Sequence, residues 1–186
     1  MALKKLQLDE VWWLVALQNP LKPKVGMAPY GDRLEAARAM ARHPNIRVLD
    51  IEARTGTFYT IDTLRVLKQC FPRVQFVWLM GADNLAQMSR WRRWTKIFGL
   101  VPIAIFDRAP YSFDALAGKA AHAFQRFQLR TKDAHHLVEQ KAPAWIFFHT
   151  RLHPGSATKI RARRAQIRSQ PVSEPQPEAR RKPSSA

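Results

Sequence analysis

Two hydroxyls and a guanidinium in Gly155-Ser156-Ala157-Thr158-Lys159-Ile160-Arg161 have the spacing of an anion trap. The stretch reads as a helix start, where unpaired N–H groups and a partial positive charge gather. Ser156 and Thr158 add hydroxyl donors, and Arg161 in the second turn can fork onto a phosphate. The same pattern also describes a capped surface helix with solvated charge. A second candidate is Gly81-Ala82-Asp83, which ends an apolar run and opens a helix. Gly81 allows a sharp turn or a close ligand approach, and Asp83 either caps the helix or faces a ligand. Thr57-Phe58-Tyr59-Thr60 joins a strand to a helix capped by Thr60, so its amides can meet a carboxylate or phosphate. In Trp91-Arg92-Arg93-Trp94, Trp91 can stack on a flat heteroaromatic ring and the arginines can hold an anion, while Trp94 reads as core. Arg108 follows a strand directly, and Lys22 and Lys24 lie on the loop after the first strand, with Lys24 better read as solvated. The six histidines show no metal-ligand spacing with carboxylates. No Ser/His/Asp set and no Gly-rich phosphate loop stands out.

The elements that must position these residues alternate between strand and helix. Residues 2–7 look like the end of an amphipathic helix. Strands are expected over 11–17, 47–52, 76–80, 101–106 and 145–149, from their apolar runs. Helices are expected over 32–41, from Thr60 to Cys70 ahead of Pro72, from Asp83 to about Phe98, from Ser112 to about Phe127, and from Ser156 to about Arg168. Residues 19–24 and 53–59 read as loops. The segment 169–186 is Pro, Ser, Gln, Glu and Arg without apolar periodicity, and is expected to be a disordered basic tail. This order implies parallel pairing by right-handed crossovers, a Rossmann-like doubly wound α/β sheet over residues 1–168. Ligands of such sheets bind at the carboxyl ends of the strands.

With 186 residues and 46% hydrophobic content, the chain can build one real core. Its formal charge of +17 favours polyanionic partners: nucleotides, nucleic acid or an anionic surface. A single cysteine, Cys70, excludes an internal disulfide and suits a reducing cytoplasm. No apolar run approaches the ~20 residues that cross a bilayer, and the start of the chain lacks the apolar core of a secretory signal.

The pieces, taken in order, resemble the bacterial nicotinate-nucleotide adenylyltransferases of NAD synthesis. The matching stretches are Leu8-Asp9-Glu10-Val11-Trp12-Trp13-Leu14-Val15, Gln18-Asn19-Pro20-Leu21-Lys22, Asp50-Ile51-Glu52 and Thr57-Phe58-Tyr59-Thr60-Ile61-Asp62-Thr63-Leu64. Further along they are Trp78-Leu79-Met80-Gly81-Ala82-Asp83-Asn84-Leu85, Trp91-Arg92-Arg93-Trp94, Asp107-Arg108 and Ser156-Ala157-Thr158-Lys159-Ile160-Arg161. The resemblance implies transfer of the adenylyl group of ATP to nicotinate mononucleotide, with Mg²⁺ accompanying ATP. It implies that Thr60 and the backbone at Trp91–Arg92 receive the nicotinate carboxylate, with Trp91 on the ring and Lys22 toward the phosphate. Gly81 and Asp83 would face the adenosine ribose. Arg108, Ser156, Thr158 and Arg161 would hold ATP, the two arginines stabilising charge in the reaction. One departure stands out: the family begins with a strand leading into Gly-Gly-x-Phe-x-Pro-x-His-x-Gly-His, and this sequence has none. That strand is the central one, so the expected domain is incomplete at its N-terminus, with strands 11–17 and 76–80 lacking the partner between them. Other readings of the same residues are a related adenylyltransferase, such as the phosphopantetheine enzyme, and a non-catalytic basic module that binds nucleic acid non-specifically through its tail.

Overall fold

The computed structural model describes residues 1–18, 21, 27–107 and 111–149, all within one compact unit. The expected helix from Ser156 and the tail 169–186 lie outside the described residues, as does most of the loop 19–24.

Two short runs make the centre. β4 (Ile103–Phe106) and β6 (Trp145–Phe148) are apolar at every position, as strands covered on both faces must be. They pair in parallel, Ile103 opposite Trp145 and Phe106 opposite Phe148. β3 (Trp78–Gly81) adds in parallel to the other edge of β4, and β5 (Gln128–Leu129) to the far edge of β6, giving the order β3-β4-β6-β5. Strand alternation sorts the side chains. Ile103, Ile105, Trp145 and Phe147 face a core that includes Ile61, Leu64, Met88 and Phe98. Ala104, Ile146 and Phe148 face a smaller one with Leu6, Ala134 and Leu137.

Helices lie over both faces. α1 (Ala2–Leu6) anchors Leu6 in the smaller core, beside the 3₁₀ stretch Thr131–Glu139. α4 (Thr60–Cys70) packs on the larger core through Ile61, Leu64 and Leu67, one stripe at three-residue spacing. Asp62 in its first turn and Lys68 in its last complement the helix dipole. The architecture is doubly wound parallel α/β, with the carboxyl ends of the paired strands on one edge.

β1 (Val11–Leu14) pairs in parallel with β2 (Ile46–Leu49), and α2 (Tyr30–Met40) connects them. This pair forms a second sheet, not hydrogen-bonded to β3. Val11 and Val15 donate their N–H groups to Asn45 and Leu49, and Trp78 donates to Pro102. Parallel-strand alternation therefore turns the backbone of Trp12, Leu14, Val77 and Leu79 toward edges that no described strand occupies. At the amino-terminal end, Trp12 meets Phe71 and Phe76 edge-to-face at 4.9 and 5.6 Å.

Several boundaries differ from the sequence expectation. The strand expected to reach residue 52 stops at Leu49, because the Asp50 carbonyl accepts the Ala53 and Arg54 N–H groups. That bonding starts α3 (Ile51–Thr55), which Gly56 ends in the left-handed region at φ 65°. The helix expected from Asp83 to Phe98 is broken into α5 (Ala82–Gln87), a 3₁₀ turn Met88–Arg90 and α6 (Trp94–Phe98). Arg93 at φ 51° makes the break, which buries Met88 and Phe98 and leaves Trp91 half-buried against the larger core. Thr60, Asp83 and Ser112 are not the caps: Tyr59, Gly81 and Tyr111 hold those positions. The helix expected over 112–127 is two, α7 (Ser112–Leu116) and α8 (Lys119–Ala123), hinged at Gly118. A Cβ on Gly118 would sit 3.1 Å from the Asp114 carbonyl oxygen, so a larger residue crowds this turn.

Phe98 is fully buried and stacks on Phe124 at 4.1 Å with the rings 6° apart. Phe98→Ala should destabilise the fold by about 3–5 kcal/mol through the cavity it leaves. A urea denaturation midpoint checks this; a change below about 1 kcal/mol would contradict the packing described.

Candidate functional site

A cavity of about 400 Å³ opens at the carboxyl-terminal end of β1, on the face of the larger core. Leu14, Ala16 and Gln18 from β1 and its exit form one wall. Phe58, Tyr59 and Thr60 from the mouth of α4 form a second, and Arg90, Trp91 and Arg92 a third. Trp78, Asn84, Leu21, Glu52 and Ile97 complete the lining.

Local structure explains why the second and third walls can receive an anion. Tyr59 is extended and caps α4, and its carbonyl accepts the Asp62 and Thr63 N–H groups. The Thr60 and Ile61 amides are the first-turn donors this leaves without an intrahelical acceptor. Across from them, Arg92 is steered by two contacts: Nη1 lies 3.6 Å from Asp62 Oδ2, and the guanidinium lies 4.7 Å from the Tyr59 ring centre. The Trp91 N–H donates to the Met88 carbonyl at 2.9 Å. Of the two amides expected to meet a carboxylate, that of Trp91 is therefore already engaged. The cavity thus joins a half-buried tryptophan ring, a guanidinium, a hydroxyl and helix-terminal amides. That set suits a flat aromatic ligand carrying an anion. Elsewhere in the lining, the Trp78 Nε1–H is buried with no acceptor among the described residues.

The sequence puts Glu52 at the end of an expected strand and within the matching stretch Asp50-Ile51-Glu52, with no role assigned to it in the site. Here it is 8% exposed. Oε2 accepts the Leu17 N–H at 3.2 Å and Oε1 accepts the Thr63 hydroxyl at 3.4 Å. Burial pushes its carboxyl above the usual range, and the two hydrogen bonds oppose that shift. Asp50 goes the other way: its hydrogen bond from Arg54, 2.8 Å away, holds it below the usual range.

Thr60, Trp91 and Arg92 are thus brought together as expected. Gly81 and Asp83 sit at the end of β3 and in the first turn of α5, outside the cavity lining, where their neighbour Asn84 takes part. Lys22, Arg108, Ser156, Thr158 and Arg161 lie outside the described residues. Asp107, just before Arg108, accepts a hydrogen bond from Ser112 and lies 3.8 Å from His149, tying the ends of β4 and β6 together. Among the described residues no group of three or more His, Cys, Asp or Glu could hold a metal ion, and no helix is long and apolar enough to cross a membrane.

A parallel α/β sheet with an aromatic, cationic cavity at its strand ends defines a nucleotide-handling protein. Comparison with known proteins narrows the class. The family model described as cytidylyltransferase-like matches residues 1–163. A protein of Ruegeria pomeroyi named "Probable nicotinate-nucleotide adenylyltransferase" is 47% identical over 161 residues, 87% of this chain and 75% of the relative. One of the same name from Parvibaculum lavamentivorans is 49% identical over 163 residues, 88% of this chain and 81% of the relative. The nicotinic acid mononucleotide adenylyltransferase of Plasmodium falciparum, solved with NaAD, superposes with a TM-score of 0.53 at 14% identity. That match covers 81% of this chain and 63% of the parasite chain, and it supports the fold. The chain belongs to the cytidylyltransferase-like family and, within it, to the nicotinate-nucleotide adenylyltransferases.

The buried carboxyl predicts a pH slope. With its folded pKa raised, Glu52 binds more protons folded than unfolded between the ordinary carboxylate value, about 4.3, and its own. Stability contributed by this group therefore falls as pH rises through that window and is level above it. Glu52→Gln should remove this slope. Melting temperatures of both proteins from about pH 4 to pH 8 check it, and identical slopes would contradict the burial of a titrating carboxyl.

Proposed function

We propose that this protein transfers the adenylyl group of ATP to nicotinate mononucleotide. An oxygen of the mononucleotide phosphate attacks the α-phosphorus, the bond to the β-phosphate bridging oxygen breaks, pyrophosphate leaves, and nicotinate adenine dinucleotide forms. The observation that carries the reading is the wall joining Thr60, Trp91 and Arg92, in a chain 47% and 49% identical to relatives of that name.

The cavity takes the pyridine ring. Trp91 stacks on it, and its carboxylate meets the Thr60 hydroxyl, the first-turn amides of α4 and the Arg92 N–H. Lys22 leads toward the mononucleotide phosphate. Gly81 and Asp83 border the ATP ribose, while Arg108 and Arg161, with Ser156 and Thr158, hold the ATP phosphates and the charge that develops there. Catalysis is then positioning and charge stabilisation without a covalent intermediate. Mg²⁺ would accompany the ATP phosphates, since the described carboxylates do not form a cage for it. The free, exposed Cys70 fits a cytoplasmic enzyme.

The open edges of β1 and β3 support a second part of the proposal. One further parallel strand belongs between them, in the family pattern the strand that leads into His-x-Gly-His. Pyrophosphate release from ATP and nicotinate mononucleotide should be slower by about a hundredfold or more on residues 1–186 than on a version extended upstream in the same frame. Equal rates would remove the requirement for that strand. In the active form, Trp91→Ala should raise the KM for nicotinate mononucleotide by about five- to a hundredfold, as expected for losing a stacked aromatic partner, with a smaller change in kcat. An unchanged KM would place the nicotinate elsewhere.

A further inference from the structure

We propose that Glu52 is the positioning residue of the cavity, a single buried carboxylate that locks the exit of β1 to the mouth of α4. The inference rests on the reading of the cavity as the nicotinate mononucleotide site. Leu17 is 35 residues from Glu52 in sequence, and Thr63 is 11. One carboxylate therefore joins two walls that no backbone hydrogen bond in the described residues connects directly. On the α4 side the link continues. The Thr57 and Thr63 hydroxyls lie 3.1 Å apart, and so do those of Thr55 and Thr57. Thr55 donates to the Ile51 carbonyl at 2.7 Å. Three hydroxyl protons serve four contacts: with Thr55 donating to Ile51, Thr57 donates to Thr63 and Thr63 to Glu52, and the Thr55–Thr57 contact carries no proton.

On the β1 side, Arg33 holds the same segment from the opposite direction. Its Nη1 donates to the Ala16 carbonyl at 2.6 Å, Nη2 to the Leu17 carbonyl at 2.9 Å, and Nε to the Ala28 carbonyl at 3.1 Å. Leu17 is thus fixed through both its N–H and its C=O. Ala16 and Gln18, which flank it, line the cavity, as do Tyr59 and Thr60 near Thr63. Glu52 sets the spacing between these walls before a ligand arrives, so the ring and its carboxylate enter a preformed slot. It acts through its neighbours and takes no part in the bond-making step.

The test compares Glu52→Ala with Glu52→Gln. Glutamine can accept the Leu17 N–H through Oε1 and donate through Nε2 to Thr63, whose own proton can turn to the Tyr59 carbonyl, 3.4 Å away. Amide hydrogen exchange without ligand is the first readout. In Glu52→Ala, residues 15–18 and 57–63 should lose protection together, while 103–106 and 145–148 keep theirs and report an intact core. In Glu52→Gln both segments should stay protected. Titration with nicotinate mononucleotide is the second readout: binding about tenfold weaker in Glu52→Ala, the loss expected for a buried hydrogen-bonding group, and within about threefold of the parent in Glu52→Gln. If only one segment loosens, or neither, the carboxylate is not the link and the proposal falls. It also falls if the glutamine variant is as weak as the alanine one. Absence of binding by the parent protein would overturn the assignment of the ligand, and the exchange pattern would still decide the link.

Discussion

Parallel strand pairing is the constraint on which this structure depends. In a parallel ladder every strand runs the same way, so all the carboxyl ends open on one edge and every connection must return across a face. β4 and β6, buried on both sides, fix the direction for β3 and β5. The turns that follow each strand then gather on that edge. This is why Thr60, Trp91 and Gln18, far apart in sequence, border one cavity. The chemistry belongs to the loops, but their meeting place is set by backbone hydrogen bonds in the sheet.

The same constraint gives meaning to the break between β1 and β3. An apolar strand with one edge unpaired leaves its N–H and C=O groups without ladder partners, an arrangement sheets normally cover or blunt. Here Trp12, Phe71 and Phe76 fill the amino-terminal end of the gap with edge-to-face contacts, while the carboxyl-terminal end borders the cavity. These contacts join the two sheets within one unit, along edges that no described strand occupies.

Burial of Glu52 shows how the site is organised beyond its contact residues. Removing a carboxylate from water is costly, and the cost is offset by two donors that come from different parts of the chain. A surface carboxylate could not impose this geometry, because water would satisfy it wherever the loops moved. Arg33 adds the complementary grip on the carbonyls of the same segment. The cavity walls are therefore held by polar groups that grip the Leu17 segment through both its N–H and its carbonyl groups.

The sequence by itself determined the elements whose signal is local. The apolar runs over 101–106 and 145–149 point to strands, and the spacing of Leu64, Leu67 and Cys70 to a helix, whose buried stripe in the structure is Ile61, Leu64 and Leu67 with Cys70 exposed. The family resemblance groups Thr60, Trp91 and Arg92, and all three line the cavity. Only the tertiary structure decided that Arg93 breaks the helix, that the Trp91 amide is already engaged by Met88, and that Glu52 is buried. Each of these depends on partners brought close by the fold. Periodicity reports which face of an element meets the core, but the state of a polar group is set by the neighbour that replaces water, and for Glu52 that neighbour lies 35 residues away.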